Sequence, residues 1–207
     1  MKILILLLFL TIPLFLKSQT RIDNLITVNF PSKPVISDTI VQKFKLKSFD
    51  LTNDTLSYSV IVTEISRNQT PIESAHKLEQ FYKGVVEVQK EKMNSVGLFL
   101  KESLKIEVHG FIAYKTSFIY NETNLESANF THILLNNRLY SFGYINCYEF
   151  NKNIANNFLN SIEINKKLKP VQYISKAEKI GRLLGGLISY ILVGAIILWL
   201  IFRKKKN

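Results

Sequence analysis

At 207 residues the chain has room for one ordinary domain plus terminal segments, and too little for two comfortable cores. Its formal net charge of +11 invites a nucleic-acid reading, but residues 20–165 carry 15 Lys/Arg against 15 Asp/Glu, whereas residues 166–207 carry 10 against Glu178 alone. A nucleic-acid binder places its positive charge on the folded domain; here the charge flanks apolar segments, where it orients a chain in a membrane, so no nucleic-acid partner is expected.

In chain order, Met1-Lys2 and the uncharged apolar residues 3–16 have the form of a signal peptide, with an apolar core of about 14 residues where a membrane span needs about 20. Residues 1–19 are therefore expected to be the signal, with cleavage at Ser18 or Gln19. Leu16 is bulkier than the small residue usual near such a cut, and an uncleaved N-terminal anchor is the alternative. No cysteine follows the apolar run, which excludes a lipid-modified anchor.

Residues 20–165 are expected to form one extracytoplasmic α+β domain. Ile26-Thr-Val-Asn-Phe30 alternates and runs into Pro31-Ser-Lys-Pro34, a strand entering a turn. Residues 39–51 and 56–65 are β-rich and read as a hairpin about Asn53-Asp54, with Tyr58, Val60 and Val62 on one face. Thr70 and Glu73 have capping-box spacing around Pro71, predicting a helix whose stripe is Ala75, Leu78, Tyr82 and Val85 and whose end is near Met93-Asn94. Residues 97–108 and 111–120 alternate as two strands about His109-Gly110. Residues 130–135 and 139–145 flank Asn136-Asn137, a pair suited to the positive φ angles of a tight hairpin. Asn151 can cap a second helix that presents Ile154, Ala155, Phe158, Leu159 and Ile162 on one face. This order predicts an antiparallel sheet with helices packed on it.

The run ITVNFPSKP from Ile26, the capped central helix, the hairpin segment NRLYSF from Asn137 and the closing NNFLNSI from Asn156 resemble the PsbP-like α/β/α sandwich over about residues 22–164. That family includes the lumenal extrinsic protein of photosystem II and many bacterial domains. The resemblance implies a small binding or assembly module with no active site shared across the family, and it carries no functional residue over to this chain. A membrane tail departs from the soluble photosystem members and argues against a photosynthetic role.

The sequence names no catalytic, cofactor or metal site. His76, His109 and His132 have no H-x-H or H-x-x-x-H spacing, so a metal site needs them to converge in space with Glu107 or Glu149. Nucleophile-elbow, phosphate-loop and H-E-x-x-H motifs are absent. The single cysteine, Cys147, sits in an alternating run and reads as a buried small side chain, although a dyad with a histidine is chemically open. Phe118, Tyr120, Tyr140, Phe142 and Tyr144 form either the sheet's core or the lining of a ligand groove, with core favoured. Asn53, Asn68, Asn121 and Asn129 head Asn-x-Thr sequons, which matter only in a glycosylating host.

Residues 166–182 read as a basic juxtamembrane linker, a loose stalk near anionic headgroups. Beyond it the uncharged run LLGGLISYILVGAIILWLIF begins at Leu183 and ends at Phe202. At 1.5 Å per residue it spans about 30 Å, the hydrocarbon thickness, and its Leu, Ile, Val and Phe favour insertion by roughly 4–8 kcal/mol. Membrane lipid around residues 183–202 is thus the expected first partner. The glycine pair Gly181 and Gly185 has close-approach spacing, but Arg182 sets it at the interface, where lipid-facing packing is favoured. The flank Arg203, Lys204, Lys205 and Lys206 stops transfer and leaves residues 203–207 as a cytoplasmic tail. The domain would then face the outer side of the cytoplasmic membrane. The expected function is a non-enzymatic binding or assembly module with a possible protein partner in a membrane complex. A hydrolase or metal-dependent enzyme built on the histidines, and a structural subunit of a membrane complex, are the alternatives.

Overall fold

Alternation with a period of two places successive side chains on opposite faces of a strand. The sheets built on this pattern are seen in the computed structural model, which describes residues 19–41, 44–53, 55–65 and 72–173. In chain order the elements are β1 (Gln19–Arg21), β2 (Ile26–Asn29), β3 (Val35–Val41), β4 (Phe44–Thr52), β5 (Leu56–Glu64), α1 (Ala75–Asn94), β6 (Leu98–Val108), β7 (Phe111–Tyr120), β8 (Glu126–Leu135), β9 (Arg138–Asn146), α2 (Lys152–Leu159) and β10 (Glu163–Ile164), followed by a 3-10 turn at Lys166–Leu168. A seven-stranded antiparallel sheet runs β3-β4-β5-β9-β8-β7-β6, and a small antiparallel sheet runs β1-β2-β10. The domain is α+β, with helices packed on a sheet as expected. Among the described residues no helix is long and apolar enough to cross a membrane. Residues 1–18 of the expected signal, the apolar run 183–202 and the basic tail lie outside the described residues, whereas Gln19, expected as the signal's last residue, pairs with Asn29 in β1.

Local chemistry sets the turns. His109 and Gly110 take φ of 52° and 90°, and Asn136 and Asn137 take 49° and 62°, the left-handed pairs that let two strands reverse without splaying. At the β4–β5 turn Asn53 accepts hydrogen bonds on its side-chain oxygen from the Thr55 and Leu56 amides. The expected run over residues 39–51 is two strands: β3 and β4 fold back on each other with Val41 opposite Phe44. No Gly, Pro or Asn marks that reversal, so the sequence hid it.

The two faces of the large sheet are buried differently. On one, Phe49, Val60, Phe142 and Ile133 join Ile26 and Val28 of the small sheet and Phe158 of α2 in the main core. Tyr58, Val60 and Val62 share this face, as their alternation requires. On the other, α1 lays Leu78, Tyr82 and Val86 over Tyr114 and Leu134, with the Tyr82 and Tyr114 rings stacked at 4.9 Å. Gly143 stands where β9 passes under Phe130: a Cβ there would sit 2.7 Å from the ring and 2.8 Å from Ser59 Oγ.

Three expectations about the helices change. The cap of α1 is Ser74, whose hydroxyl accepts from the Lys77 amide, so the helix starts beyond the Thr70–Glu73 box. The buried stripe runs through Val86 rather than Val85, and Ala75 is exposed. Asn151 does cap α2, accepting from Asn153 and Ile154, but Ile154 itself is 40% exposed and Ile162 is buried from beyond the helix end.

The chain also stays on the domain past residue 165. β7 and β8 pair as far as Ala113–Ile133 and then part. Into the gap α1 sends the Tyr82 hydroxyl, which donates to the Ile112 carbonyl (2.9 Å) and accepts from the Leu134 amide (2.8 Å). Gln172 fills the remaining places: its oxygen accepts from Ile112 N (2.8 Å), and its amide donates to the Ile112 and Leu134 carbonyls (2.6 and 3.3 Å). Val171 exchanges hydrogen bonds with Asn136. Residues 166–173 are thus seated on the domain, not a loose stalk, because one amide side chain matches strand groups that would otherwise go unpaired.

Replacing Tyr82 by Phe leaves the buried Leu134 amide without its acceptor and is expected to lower unfolding free energy by about 1–3 kcal/mol in urea titrations. Gln172→Ala is expected to leave the core folded yet speed tryptic cleavage at Lys166 and Lys167 (Lys169 precedes Pro170 and resists trypsin).

Candidate functional site

A groove of about 840 Å³ lies between the β3–β4 ribbon and the loop from β1 to β2. Its lining mixes carboxylates (Asp23, Asp38, Glu64) with cations (Lys45, Lys47, Arg138) over Ile22, Ile40 and Val62. Cross-strand register explains the mixture: Lys47 lies opposite both Asp38 and Val62, and Glu64 lies opposite Arg138, so one face of four neighbouring strands collects these side chains.

One end of the groove is rigid. Asp23 accepts the Leu25 and Ile26 amides on Oδ1, at 2.7 and 3.0 Å. Its Oδ2 accepts from Tyr140 Oη at 2.6 Å and from Arg138 Nη1 at 3.1 Å. Arg138 Nη2 reaches on to Glu64 at 3.0 Å. Burial, with the Asp23 carboxylate beside it, holds the Tyr140 hydroxyl protonated far above the ordinary tyrosine range. The other end is adaptable: Lys45 and Lys47 form no ion pair among the described residues, and Lys47 leans over the Phe49 ring at 5.4 Å. A hydrogen-bonded charged wall facing lysines and apolar side chains suits binding of an amphipathic partner.

The three histidines do not converge. His76 on the first turn of α1 meets Gln80, and His109 in the β6–β7 turn meets the Ile162 carbonyl at 2.7 Å. His132 lies under α1 on β8. Among the described residues no group of three or more His, Cys, Asp or Glu is placed to hold a metal ion. Glu107 and Glu149 stand on different elements, at β6 and before α2.

His132 nevertheless heads a small polar cluster that sequence reasoning missed, because its members come from four elements. Its Nδ1 meets Ser141 Oγ at 2.9 Å and its Nε2 meets Gln89 Oε1 at 3.0 Å, where the Thr116 hydroxyl also donates (2.9 Å). The row Ser141–His132–Gln89 has the order of a nucleophile, base and orienting group. Its chemistry runs the other way. Burial depresses the His132 pKa to about 4, so at neutral pH it is a weak proton acceptor, and the ring is only 3% exposed. The cluster is best read as a satisfied polar seam between two apolar patches under α1, one around Leu134 and one around Phe118.

Other sequence candidates fall into place one by one. Cys147 is partly buried against the patch that contains Leu98 and Phe118, and burial raises its pKa away from thiolate. Phe118, Tyr140, Phe142 and Tyr144 are wholly buried, with Phe118 under α1 and the other three in the main core, so they line no common groove. Asn53 and Asn121 are exposed, Asn68 lies outside the described residues, and Asn129 is 0% exposed, which bars a glycan in the folded state. The Asn129 amide and the Tyr144 hydroxyl, opposite each other across β8 and β9, are buried without a hydrogen-bond partner among the described residues. Compared with known proteins, the chain matches no family model, no curated protein and no solved structure.

The buried histidine gives a pH dependence with a definite sign. Between pH 6.5 and 4 the unfolded chain takes up a proton on His132 that the folded chain refuses. Stability fully present above pH 6.5 is therefore lost as the pH falls, by about 3 kcal/mol at most. Urea unfolding at pH 4–7 is expected to show this slope in the native chain and a flatter one in His132→Gln.

Proposed function

We propose that the chain is a single-pass, membrane-anchored binding or assembly module whose ligand surface is the groove beneath the β3–β4 ribbon, with the domain on the outer side of the cytoplasmic membrane. The groove carries the reading: it offers about 840 Å³ with charges of both signs over an apolar floor, a lining suited to a polypeptide segment more than to a small reacting molecule. The anchoring is supported by the uncharged apolar run 183–202 and the basic flank after it. It agrees with a chain that remains seated on the domain at Gln172, close before that run. β1 begins at Gln19, so removal of the signal after Ser18 leaves the β1–β2 pairing complete. The PsbP-like resemblance is supported by the layering of α1 on one face of the central antiparallel sheet and α2 on the other. That resemblance belongs to the same proposal.

Two measurements test it on the full-length chain in membranes. Protease added to spheroplasts is expected to remove the domain and spare a C-terminal epitope; an intact, unprocessed domain in the cytosol would overturn the anchoring. A benzophenone amino acid at Lys45 is expected to give a discrete protein adduct that is lost in Lys47→Glu, whereas the same probe at Glu149 gives none. No adduct at Lys45 would remove the groove as a binding surface.

A further inference from the structure

The two edges of the large sheet are treated differently by the sequence. β6, at one edge, alternates charges (Lys101, Glu102, Lys105, Glu107) and carries an irregularity between Leu100 and Glu102, the usual protections of an open edge. β3, at the other, is bonded among the described residues to β4 alone, and all seven of its residues are exposed. Val35, Ile36, Ile40 and Val41 are 73%, 52%, 70% and 48% exposed. It holds a single charge, Asp38, at its midpoint.

β3 reads Val-Ile-Ser-Asp-Thr-Ile-Val, which is the same chemical series from either end. An antiparallel strand laid beside it about a two-fold axis through Asp38 would meet Val35 with Val41, Ile36 with Ile40 and Ser37 with Thr39. We propose that the occupant of this edge is β3 of a second copy of the chain, joining two large sheets into one. Self-complementarity of this kind is what an isologous two-fold contact requires. Antiparallel pairing also keeps like faces together, so the two grooves open on the same side.

The one unfavourable pair is Asp38 against Asp38 of the second copy. Each of these lies opposite its own Lys47 on β4, so the four strands read cation, carboxylate, carboxylate, cation. The flanking lysines offset the central repulsion without removing it, and a contact about seven residues long is small for a stable interface. The pair is therefore weak in dilute solution and forms where copies are concentrated, as on a shared membrane. The inference goes beyond the groove reading and does not depend on it.

The test uses the full-length chain in detergent, so it is independent of topology. In a Cys147→Ser background, Asp38→Cys is expected to form a disulfide-linked dimer under mild oxidation, since position 38 faces itself within bridging distance. Ser37→Cys and Thr39→Cys are each expected to cross-link at least tenfold more slowly alone, and efficiently with each other. With the native cysteine and no introduced one, Asp38→Asn is expected to tighten self-association in sedimentation up to about fivefold, and Ile36→Lys/Ile40→Lys to abolish it while leaving the far-ultraviolet circular dichroism unchanged. Equal cross-linking at positions 37, 38 and 39, or association that survives the double lysine variant, would overturn the proposal.

Discussion

A sheet can be long only where every strand group finds a partner, and in this domain that condition turns on the hydroxyl of Tyr82. Where β7 and β8 separate, this one oxygen joins two strands to the helix above them, and the Gln172 amide completes the set. The stacked Tyr114 ring and the apolar Leu78 and Val86 keep the hydroxyl dry, which strengthens its bonds and raises the cost of losing them. Burial accordingly pushes the Tyr82 pKa far above the ordinary range. The position of α1, and with it the shielding of His132, follows from that bridge.

Much of the fold was legible because it is local. Asn136-Asn137 and His109-Gly110 mark their reversals by the φ angles that only a few residues tolerate, and Tyr58, Val60 and Val62 announce a buried face by alternation alone. What was not legible depends on partners distant in sequence. β1 and β10 are too short to show a period and exist because β2 lies between them. Ser74 caps the helix, whose position follows the docking of Leu78 and Tyr82; Thr70 and Pro71 lie outside the described residues. The β3–β4 reversal has no turn residue to signal it.

The groove was hidden for the same reason. Asp23 and Arg138 come together across the whole domain, and neither belongs to a recognisable motif. The histidines show the opposite case: they were visible as a type but not as a site, and folding gives each a separate hydrogen-bonding task. His132 gathers Gln89, Thr116 and Ser141 into a polar island whose low basicity suits a structural role. Burial also settles the aromatic question, since Tyr140, Phe142 and Tyr144 fill the core between the two sheets instead of facing a ligand.

The seating of Gln172 has a mechanical consequence. A load applied through the C-terminal segment arrives first at the β7–β8 seam and the Tyr82 hydroxyl, and only afterwards at the apolar layers. The bonds there would open before the main core is strained, so the clasp acts as a fuse. Tension on that segment would then lengthen the connection by the residues between Asn165 and Tyr173 while the rest of the domain kept its shape.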